Sequence, residues 1–430
     1  MKNMEIKYGS TCMSVAVEEE NLIGVIEANK LSEEKTEEEV IKDALENPIG
    51  SARLKELVHD GERVCVVIPD VTRAWQKTDK YLNAIVEELN AGGIEDKNIV
   101  FISALGSHRK QTREEHEKLL GEKLSERFKV IDHDCYDKEN LVYLGETTYG
   151  NRVYINRIAM ECDHIVITGG IVYHLLAGYA GGKKTILPGI SGAETIMKNH
   201  SLSLNDNLGE SVKAGVCSGG TEDNPVHLDM LEAASFVKPT FMFNVIMGPE
   251  GQIAAAVAGN YIAAHEQGMK ILKNIDGVDI EEKADLVIAS AGGYPKDINL
   301  YQSVKTLTNA REAVKEGGYI IAALECREGL GGDKNIQDLI LNYDNILDRE
   351  KFVRDDFTIS KFIAYCMCET AYKFKVILVS DIKQELVKNA NITVVKTVEK
   401  ALEIVHKEKG ENLKTYVMPH AANTLPMLTK

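Results

Sequence analysis

Short apolar runs alternate with polar loops and with segments of helical periodicity over much of this chain, and this alternation limits the fold more than any other feature. The run Val64–Pro69 is a predicted buried strand. Apolar residues at helical spacing follow from Leu82 to Leu89, and a second strand is predicted over Ile99–Leu105. Thr112 and Glu115 form a capping box that would start the next helix. Strands that alternate with helices predict an α/β protein with a parallel sheet covered by helices.

The same alternation restarts near residue 286, which indicates a second domain. A chain of 430 residues is long enough for two domains. We predict an N-terminal catalytic and cofactor-binding domain over residues 1–273 and a smaller α/β domain over residues 274–409. The last segment, 410–430, is expected to return to the first domain. Both domains should contain parallel or mixed sheets flanked by helices, with the active site in the cleft between them.

Charge and hydropathy exclude several classes of partner. The formal net charge is −16, whereas nucleic acids and anionic membrane surfaces require basic patches on the protein. No apolar run reaches membrane-spanning length, and the N-terminal residues lack the hydrophobic segment of a signal peptide. We therefore expect a cytoplasmic protein that binds neither nucleic acid nor membrane. The eight cysteines are scattered apart from the pair Cys366 and Cys368, and we expect them to be reduced and structural.

Polar side chains follow the predicted strands at the points where each strand ends. Asp70, Thr72 and Arg73 come after the first strand, His108 comes after the second, and His174 follows a third apolar run, HIVITGG. Ligands of parallel sheets bind at the carboxyl ends of the strands. These loops are therefore expected to converge on one site, where the guanidinium of Arg73 would clamp an anion and the two imidazoles would exchange protons near neutral pH.

The stretch from Tyr173 to His200 carries a glycine-rich turn with two lysines, Lys183 and Lys184. Its glycines permit backbone conformations that other residues rarely adopt, so the turn is predicted to present amides and lysines to a phosphate. A nucleotide-binding P-loop does not fit, because three residues separate Gly178 from Gly182 and no Ser or Thr follows the first lysine. The residues leave three readings open: an anion site, a lysine that forms a Schiff base with a carbonyl cofactor such as pyridoxal phosphate, and a solvated lysine turn.

The stretch resembles the nickel-pincer lactate racemase family. That family has the pattern YHxxAGxxGGxKxxLPG followed by a downstream NH, and every fixed position of the pattern is present between Tyr173 and His200. The resemblance extends more weakly over essentially the whole chain. It implies an isomerase that racemises a small 2-hydroxy acid, with lactate as the default substrate. It also implies a pyridinium-3,5-bisthiocarboxylic acid mononucleotide that holds nickel and is made by separate cofactor-synthesis enzymes.

The resemblance also implies roles for individual residues. His108 and His174 would be the acid/base pair, Lys184 would attach the cofactor, and His200 would bind nickel. Further residues expected at the substrate or the cofactor are Arg73 and Lys305 as catalytic groups, and Asp70, Thr72, Gly181, Gly182, Lys183, Tyr301 and Gln302 as cofactor-binding groups.

Two departures from the family pattern concern the substrate. The first polar loop usually reads DxTRP in the family, whereas Ala74 and Trp75 follow Arg73 here. Family members that act on lactate carry a tryptophan late in the second domain, and the nearest equivalent here is Phe357. Because these positions would sense substrate size, we expect this chain to accept 2-hydroxy acids larger than lactate.

The alternatives to a racemase are a pyridoxal phosphate or Schiff-base enzyme and a non-catalytic protein that binds a phosphate ligand.

Overall fold

The structure, a computed structural model, describes residues 1–30 and 35–429, and the chain divides into two compact units. Unit 1 comprises Met1–Asn29, Asn205–Ser211 and Asp276–Lys430, and unit 2 comprises Lys30–Leu204 and Val212–Ile275. No helix of the described residues is long and apolar enough to span a bilayer.

The secondary structure of both units follows, in chain order. The β-strands are β1 (Lys2–Tyr8), β2 (Thr11–Val17), β3 (Leu22–Val25), β4 (Val64–Pro69), β5 (Ile99–Ala104), β6 (Val130–Asp132), β7 (Leu141–Glu146), β8 (Arg152–Asn156), β9 (His164–Gly170), β10 (Tyr173–His174), β11 (Gly178–Tyr179), β12 (Phe241–Met247), β13 (Ile253–Gly259), β14 (Gly277–Ile280), β15 (Ala284–Ser290), β16 (Val314–Ala323), β17 (Lys375–Val379), β18 (Ile392–Val395), β19 (Thr415–Met418) and β20 (Leu425–Leu428). The α-helices are α1 (Glu37–Glu46), α2 (Leu54–Leu57), α3 (Thr78–Ala91), α4 (Arg113–Ser125), α5 (Arg157–Met160), α6 (Ala193–Ser201), α7 (Pro225–Val237), α8 (Ala263–Asp276), α9 (Leu300–Ala310), α10 (Lys334–Leu341), α11 (Ile346–Asp355), α12 (Ile359–Lys373) and α13 (Val398–Lys409). Short 3-10 helices cover Val71–Gln76, Asp96–Asn98, Lys138–Asn140, Gly182–Thr185, Arg311–Ala313, Gln384–Leu386 and Lys388–Ala390.

Unit 2 is built on a mixed sheet with the strand order β13-β12-β9-β4-β5-β6. Only the β12–β13 pair in this sheet is antiparallel. Every residue of β4 is buried, as expected of a central strand with helices on the sheet faces. The apolar side of α3, including Tyr81, Leu82 and Ile85, packs in the same core. The predicted capping box at the start of α4 is present, with the Glu115 N–H donating to the Thr112 hydroxyl over 3.3 Å.

The strands that precede the predicted polar loops are neighbours in this sheet. β9 pairs with β4, and β4 pairs with β5, in both cases in parallel. The carboxyl ends of the three strands therefore lie at one edge of the sheet, where Asp70, His108 and His174 follow them in the chain. The predicted α/β class with parallel and mixed sheets is confirmed.

Unit 1 is built on a parallel sheet with the strand order β18-β17-β16-β15-β19-β3. The strands β1 and β2 form an antiparallel hairpin, and β14 pairs in parallel with β20. Residues buried on this sheet, such as Ile288, Ile321 and Val417, form a core with the β1–β2 hairpin and α13.

The observed division differs from the predicted one in both terminal segments. The boundary between Ile275 and Asp276 lies close to the predicted one at 273, but the segment 410–430 belongs to unit 1. The reason is that β19 is fully buried and pairs with β15 on one side and β3 on the other. The N-terminal residues Met1–Asn29 are also part of unit 1, because β3 completes the edge of its sheet. Apolar patterning predicts that such strands exist, but it does not identify their partners.

Candidate active site

Asp70 directly follows β4 and organises the first polar loop. Its side chain is 2% exposed and caps the 3-10 helix Val71–Gln76 by accepting a hydrogen bond from the Thr72 N–H over 2.9 Å. The Thr72 hydroxyl donates to the same carboxylate oxygen. A short polar side chain at this position satisfies backbone donors that the helix itself cannot satisfy. Local sequence therefore fixes a carboxylate at the strand end.

The Asp70 carboxylate binds both His108 and Arg73. Its Oδ2 lies 2.7 Å from His108 Nδ1 and 2.6 Å from Arg73 Nη1. Burial opposes ionisation of Asp70, but the hydrogen bond from His108 and the charge of Arg73 outweigh it and hold the pKa of the carboxyl well below its usual range. Because an ionised carboxylate only accepts, the His108 Nδ1 carries a proton. The neutral His108 ring therefore has its lone pair on Nε2, where it can act as a base.

His174, the last residue of β10, has the opposite arrangement. Its Nδ1 accepts hydrogen bonds from the backbone N–H groups of Leu176 and Ala177, each over 3.2 Å. A backbone N–H only donates, so Nδ1 holds a lone pair, and the proton of the neutral ring lies on Nε2. In this state His174 offers a hydrogen-bond donor at Nε2, whereas His108 offers an acceptor there.

The glycines of the lysine turn are required by packing. A side chain at Gly181 would meet Asn244 Oδ1 at 2.5 Å, and one at Gly182 would meet the ring of His265 at 2.7 Å. Both glycines also have positive φ angles, 77° and 52°. The Gly182 N–H donates to Asn244 Oδ1 over 2.8 Å, and the Lys184 N–H donates to Gly181 O over 3.1 Å. These two amides are thus already engaged within the protein, which differs from the prediction that the amides of this turn face an anion.

Lys183 and Lys184 lie in different surroundings. The Lys183 side chain is fully buried, and its Nζ lies 3.5 Å from the Tyr179 carbonyl oxygen. Burial lowers the pKa of Lys183 to about 7. The buried imidazoles of His227 and His265 are close enough for the Lys183 charge to lower their pKa values further, after the effect of burial. Lys184 is only partly buried and interacts electrostatically with His200.

His200 lies on α6 and is 2% exposed. Its Nδ1 donates to the Ile196 carbonyl oxygen over 2.9 Å, which leaves a lone pair on Nε2. Burial, with a further contribution from the Lys184 charge, lowers the pKa of His200 to about 4. The ring is therefore neutral at physiological pH, which is the form that binds a metal.

A buried polar network that sequence analysis missed anchors α6. The Asn199 side-chain amide donates to the Val226 carbonyl oxygen over 3.0 Å and to Asp229 Oδ2 over 2.8 Å. Asp229 is fully buried and also accepts from Thr147 and Asn151. This network fixes the residue next to His200. The sequence signal for this network was the dipeptide Asn199–His200, because it places a side-chain amide directly beside the candidate metal ligand.

The candidate residues of unit 1 lie at the start of α9. The Asn299 side chain caps this helix by accepting from the Gln302 N–H over 2.9 Å. Tyr301 is partly buried, and burial raises the pKa of its phenol. Lys305 is exposed one helical turn after Tyr301, on the same face of the helix.

The two positions that depart from the family pattern are both solvent-accessible. Trp75 is 48% exposed on the 3-10 helix that carries Arg73. Phe357 of unit 1 is partly buried, and its ring centroid lies 5.8 Å from that of Phe362. Among residues 1–30 and 35–429, no group of three or more His, Cys, Asp or Glu side chains is arranged to hold a metal ion.

Comparison with known proteins places this chain in a family. Residues 8–211 match the lactate racemase N-terminal domain, and residues 280–425 match the lactate racemase C-terminal domain. The lactate racemase of Thermoanaerobacterium thermosaccharolyticum is 33% identical over 99% of both chains. The lactate racemase of Lactiplantibacillus plantarum is 30% identical over 97% of this chain and 98% of its own length.

Solved structures agree with these sequence matches. The lactate racemase apoprotein of T. thermosaccharolyticum superposes with a TM-score of 0.90 at 32% identity, over 99% of this chain and 100% of the other. A Thermotoga maritima protein has a TM-score of 0.65 at 18% identity, over 93% of this chain and 100% of the other, and this likeness shows the fold alone. Both domain matches and the full-length identities lead to one conclusion: the chain belongs to the lactate racemase family, whose members are isomerases.

Proposed function

We propose that this protein racemises 2-hydroxy acids, with lactate as the default substrate. The observation that carries the proposal is the set of hydrogen bonds at the Nδ1 atoms of two imidazoles, which follow the strands on either side of β4. His108 has its lone pair on Nε2, because Nδ1 is bonded to Asp70, and His174 has its proton on Nε2, because Nδ1 accepts two backbone N–H groups. A racemase needs one group that removes a proton and another that returns one. His108 presents an acceptor at its Nε2, and His174 presents an N–H at its own.

His108 Nε2 takes the proton of the substrate 2-hydroxyl, and the imidazolium that forms is stabilised by the Asp70 carboxylate. His174 Nε2–H donates a hydrogen bond to the substrate oxygen, and His174 gives a proton to this oxygen, when the other enantiomer forms, from its imidazolium form, after Nδ1 has also taken up a proton. The substrate carboxylate binds Arg73, whose side-chain contacts within the described residues all use Nη1 and so leave Nη2 and Nε for a bidentate pair. Lys305 is a second candidate partner for substrate charge. The reverse reaction starts from the protonation states that the forward reaction leaves, and a second forward turnover requires His108 to lose its proton to solvent and His174 to regain one.

The hydrogen on C2 requires an acceptor that protein side chains do not provide. A nickel-pincer pyridinium mononucleotide attached to Lys184, when bound, would accept this hydrogen as hydride and return it. Two observations support the binding of this group. Lys184 is close enough to His200 for its charge to lower the pKa of that imidazole, in addition to the effect of burial. The neutral His200 also has its Nε2 lone pair available as a metal ligand. Tyr301, Gln302, Asp70, Thr72 and the turn Gly181–Lys183 remain candidate cofactor contacts.

Intact mass spectrometry with metal analysis tests the proposal on protein produced together with the cofactor-synthesis enzymes. We expect one adduct that maps to Lys184, one equivalent of nickel, and conversion of one lactate enantiomer into the other. His200→Ala should keep the organic adduct and lose nickel. A borohydride-trapped aldehyde would instead indicate a Schiff-base enzyme, and a protein without an adduct that binds phosphate ligands would indicate a binding protein. Racemisation by protein from a host without those enzymes would contradict the cofactor assignment.

A further inference from the structure

One side chain, Gln111, connects the loops that follow β4 and β5. Its Oε1 accepts a hydrogen bond from the Val71 N–H over 2.6 Å. Its Nε2 donates to the hydroxyl of Ser103, a buried residue near the end of β5, over 2.9 Å. Val71 adjoins Asp70, and Gln111 lies three residues after His108. Gln111 thus joins the loop that carries the carboxylate to the loop that carries the imidazole.

Asp132, the last residue of β6, holds Gln111 from the other side. The Gln111 N–H donates to Asp132 Oδ2 over 2.7 Å, and Gln111 Nε2 lies 3.2 Å from Asp132 Oδ1. His116 Nε2 approaches the same Oδ1 to 2.8 Å from α4. The network therefore ties together the ends of three adjacent strands, β4, β5 and β6.

We propose that Gln111 is a positioning residue that sets the distance between Asp70 and His108, and through it the Nδ1–H form of His108. This inference rests on the proposed function insofar as His108 acts as the base. Only an amide supplies the required set, one acceptor for Val71 and two N–H donors for Ser103 and Asp132. If the connection is lost, the Val71 N–H and the Ser103 hydroxyl lose a partner and the two loops can move apart.

The test compares Gln111→Leu with a matched control, Gln384→Leu in unit 1. Gln384 is also a bridging amide, since it accepts from the Val394 N–H and donates to the Ile392 carbonyl oxygen, each over 2.8 Å. Gln111→Glu serves as a second variant: it keeps an acceptor for Val71 but lacks the N–H donors and adds a negative charge beside Asp132. Unfolding temperatures establish that each variant is folded.

Two readouts are measured. The tautomer of His108 is determined by nitrogen NMR of histidine-labelled apoprotein, and kcat and KM for lactate are determined on the holoprotein. We expect the Nδ1–H form of His108 in the wild type and in Gln384→Leu, and a mixture of tautomers in both Gln111 variants. We also expect kcat/KM to fall about 10- to 100-fold in the Gln111 variants, mainly through kcat, since a displacement near 1 Å has effects of this size.

A folded Gln111 variant that keeps the wild-type tautomer and the wild-type kcat would overturn the proposal. So would an equal loss in Gln384→Leu, which would indicate a general effect of removing a bridging amide. If the wild-type holoprotein does not racemise any 2-hydroxy acid, the proposed function fails. The tautomer of His108 in the apoprotein still decides the role of Gln111 in that case.

Discussion

Replacement of Lys183 by Met should stabilise the cofactor-free protein, although Lys183 lies in the turn that defines the family pattern. The side chain is fully buried, and its pKa is about 7 against an ordinary value of 10.5. A pKa difference of one unit corresponds to about 1.36 kcal/mol, so burial of this lysine costs about 4 kcal/mol at about pH 7. Methionine has a similar shape and carries no charge, which removes this cost.

The effect depends on pH in a defined direction. Between about pH 7 and the ordinary pKa of 10.5, the unfolded chain holds the Lys183 proton and the folded chain does not. The free energy of unfolding of the wild type should therefore rise with pH, and the contribution of Lys183 between about pH 7 and about pH 8.5 is about 1.5 kcal/mol. The Lys183→Met protein lacks this contribution. Its advantage over the wild type, about 4 kcal/mol at about pH 7, should shrink by about 1.5 kcal/mol over this interval.

Equilibrium urea unfolding, followed by far-ultraviolet circular dichroism at the two pH values, measures both effects. Lys42→Met is the control, because it removes an exposed lysine from α1 of the same unit. It should retain the pH dependence of the wild type. If the wild type and Lys183→Met show the same stability at about pH 7 and the same pH dependence, the burial argument for Lys183 is refuted.

Three further predictions concern the proposed reaction. His108→Ala and His174→Ala should each abolish racemisation from both enantiomers while the cofactor adduct stays bound; loss of the adduct, seen by intact mass, would give that histidine a structural role. Asp70→Asn places an amide opposite His108 Nδ1 and favours the wrong tautomer, so kcat should fall about 10³-fold or more without loss of fold, as judged by circular dichroism. Because Ala74 stands where the family has proline and Phe357 where its lactate-specific members have tryptophan, 2-hydroxy acids larger than lactate should be used at comparable or better kcat/KM on a substrate panel; strict preference for lactate would contradict this, since pocket differences of this kind are worth only ~1 to 3 kcal/mol.

The role of a residue could be predicted where it depends on neighbours in the chain. It could not be predicted where it depends on contacts with residues distant in sequence. Asp70 follows an apolar strand and caps a short helix, so its position could be inferred from neighbours in the chain. Gln111 lies in a loop that the sequence marked, but its importance comes from Val71, Ser103 and Asp132, which come together only when β4, β5 and β6 pair.

The same distinction explains the lysine turn. Its glycines and lysines stand out in the sequence, and they predict an unusual backbone. Whether Lys183 points to solvent or into the protein depends on α8, which brings His265 against Gly182 from a distant part of the chain. Both lysines were expected at the cofactor, Lys184 as its attachment point and Lys183 as a contact, whereas the fold buries Lys183 fully and Lys184 only in part.

The position of β3 beside β19 affects how the protein forms during synthesis. β3 belongs to a sheet whose other strands, β15 to β19, are all translated after unit 2, and its partner in that sheet is Thr415–Met418. Unit 2 lies between them in the chain, apart from the excursion Asn205–Ser211. Domains generally fold as units while the chain leaves the ribosome. The sheet of unit 2 can therefore assemble on the ribosome, while β3 lacks its partner strand until β19 has been translated.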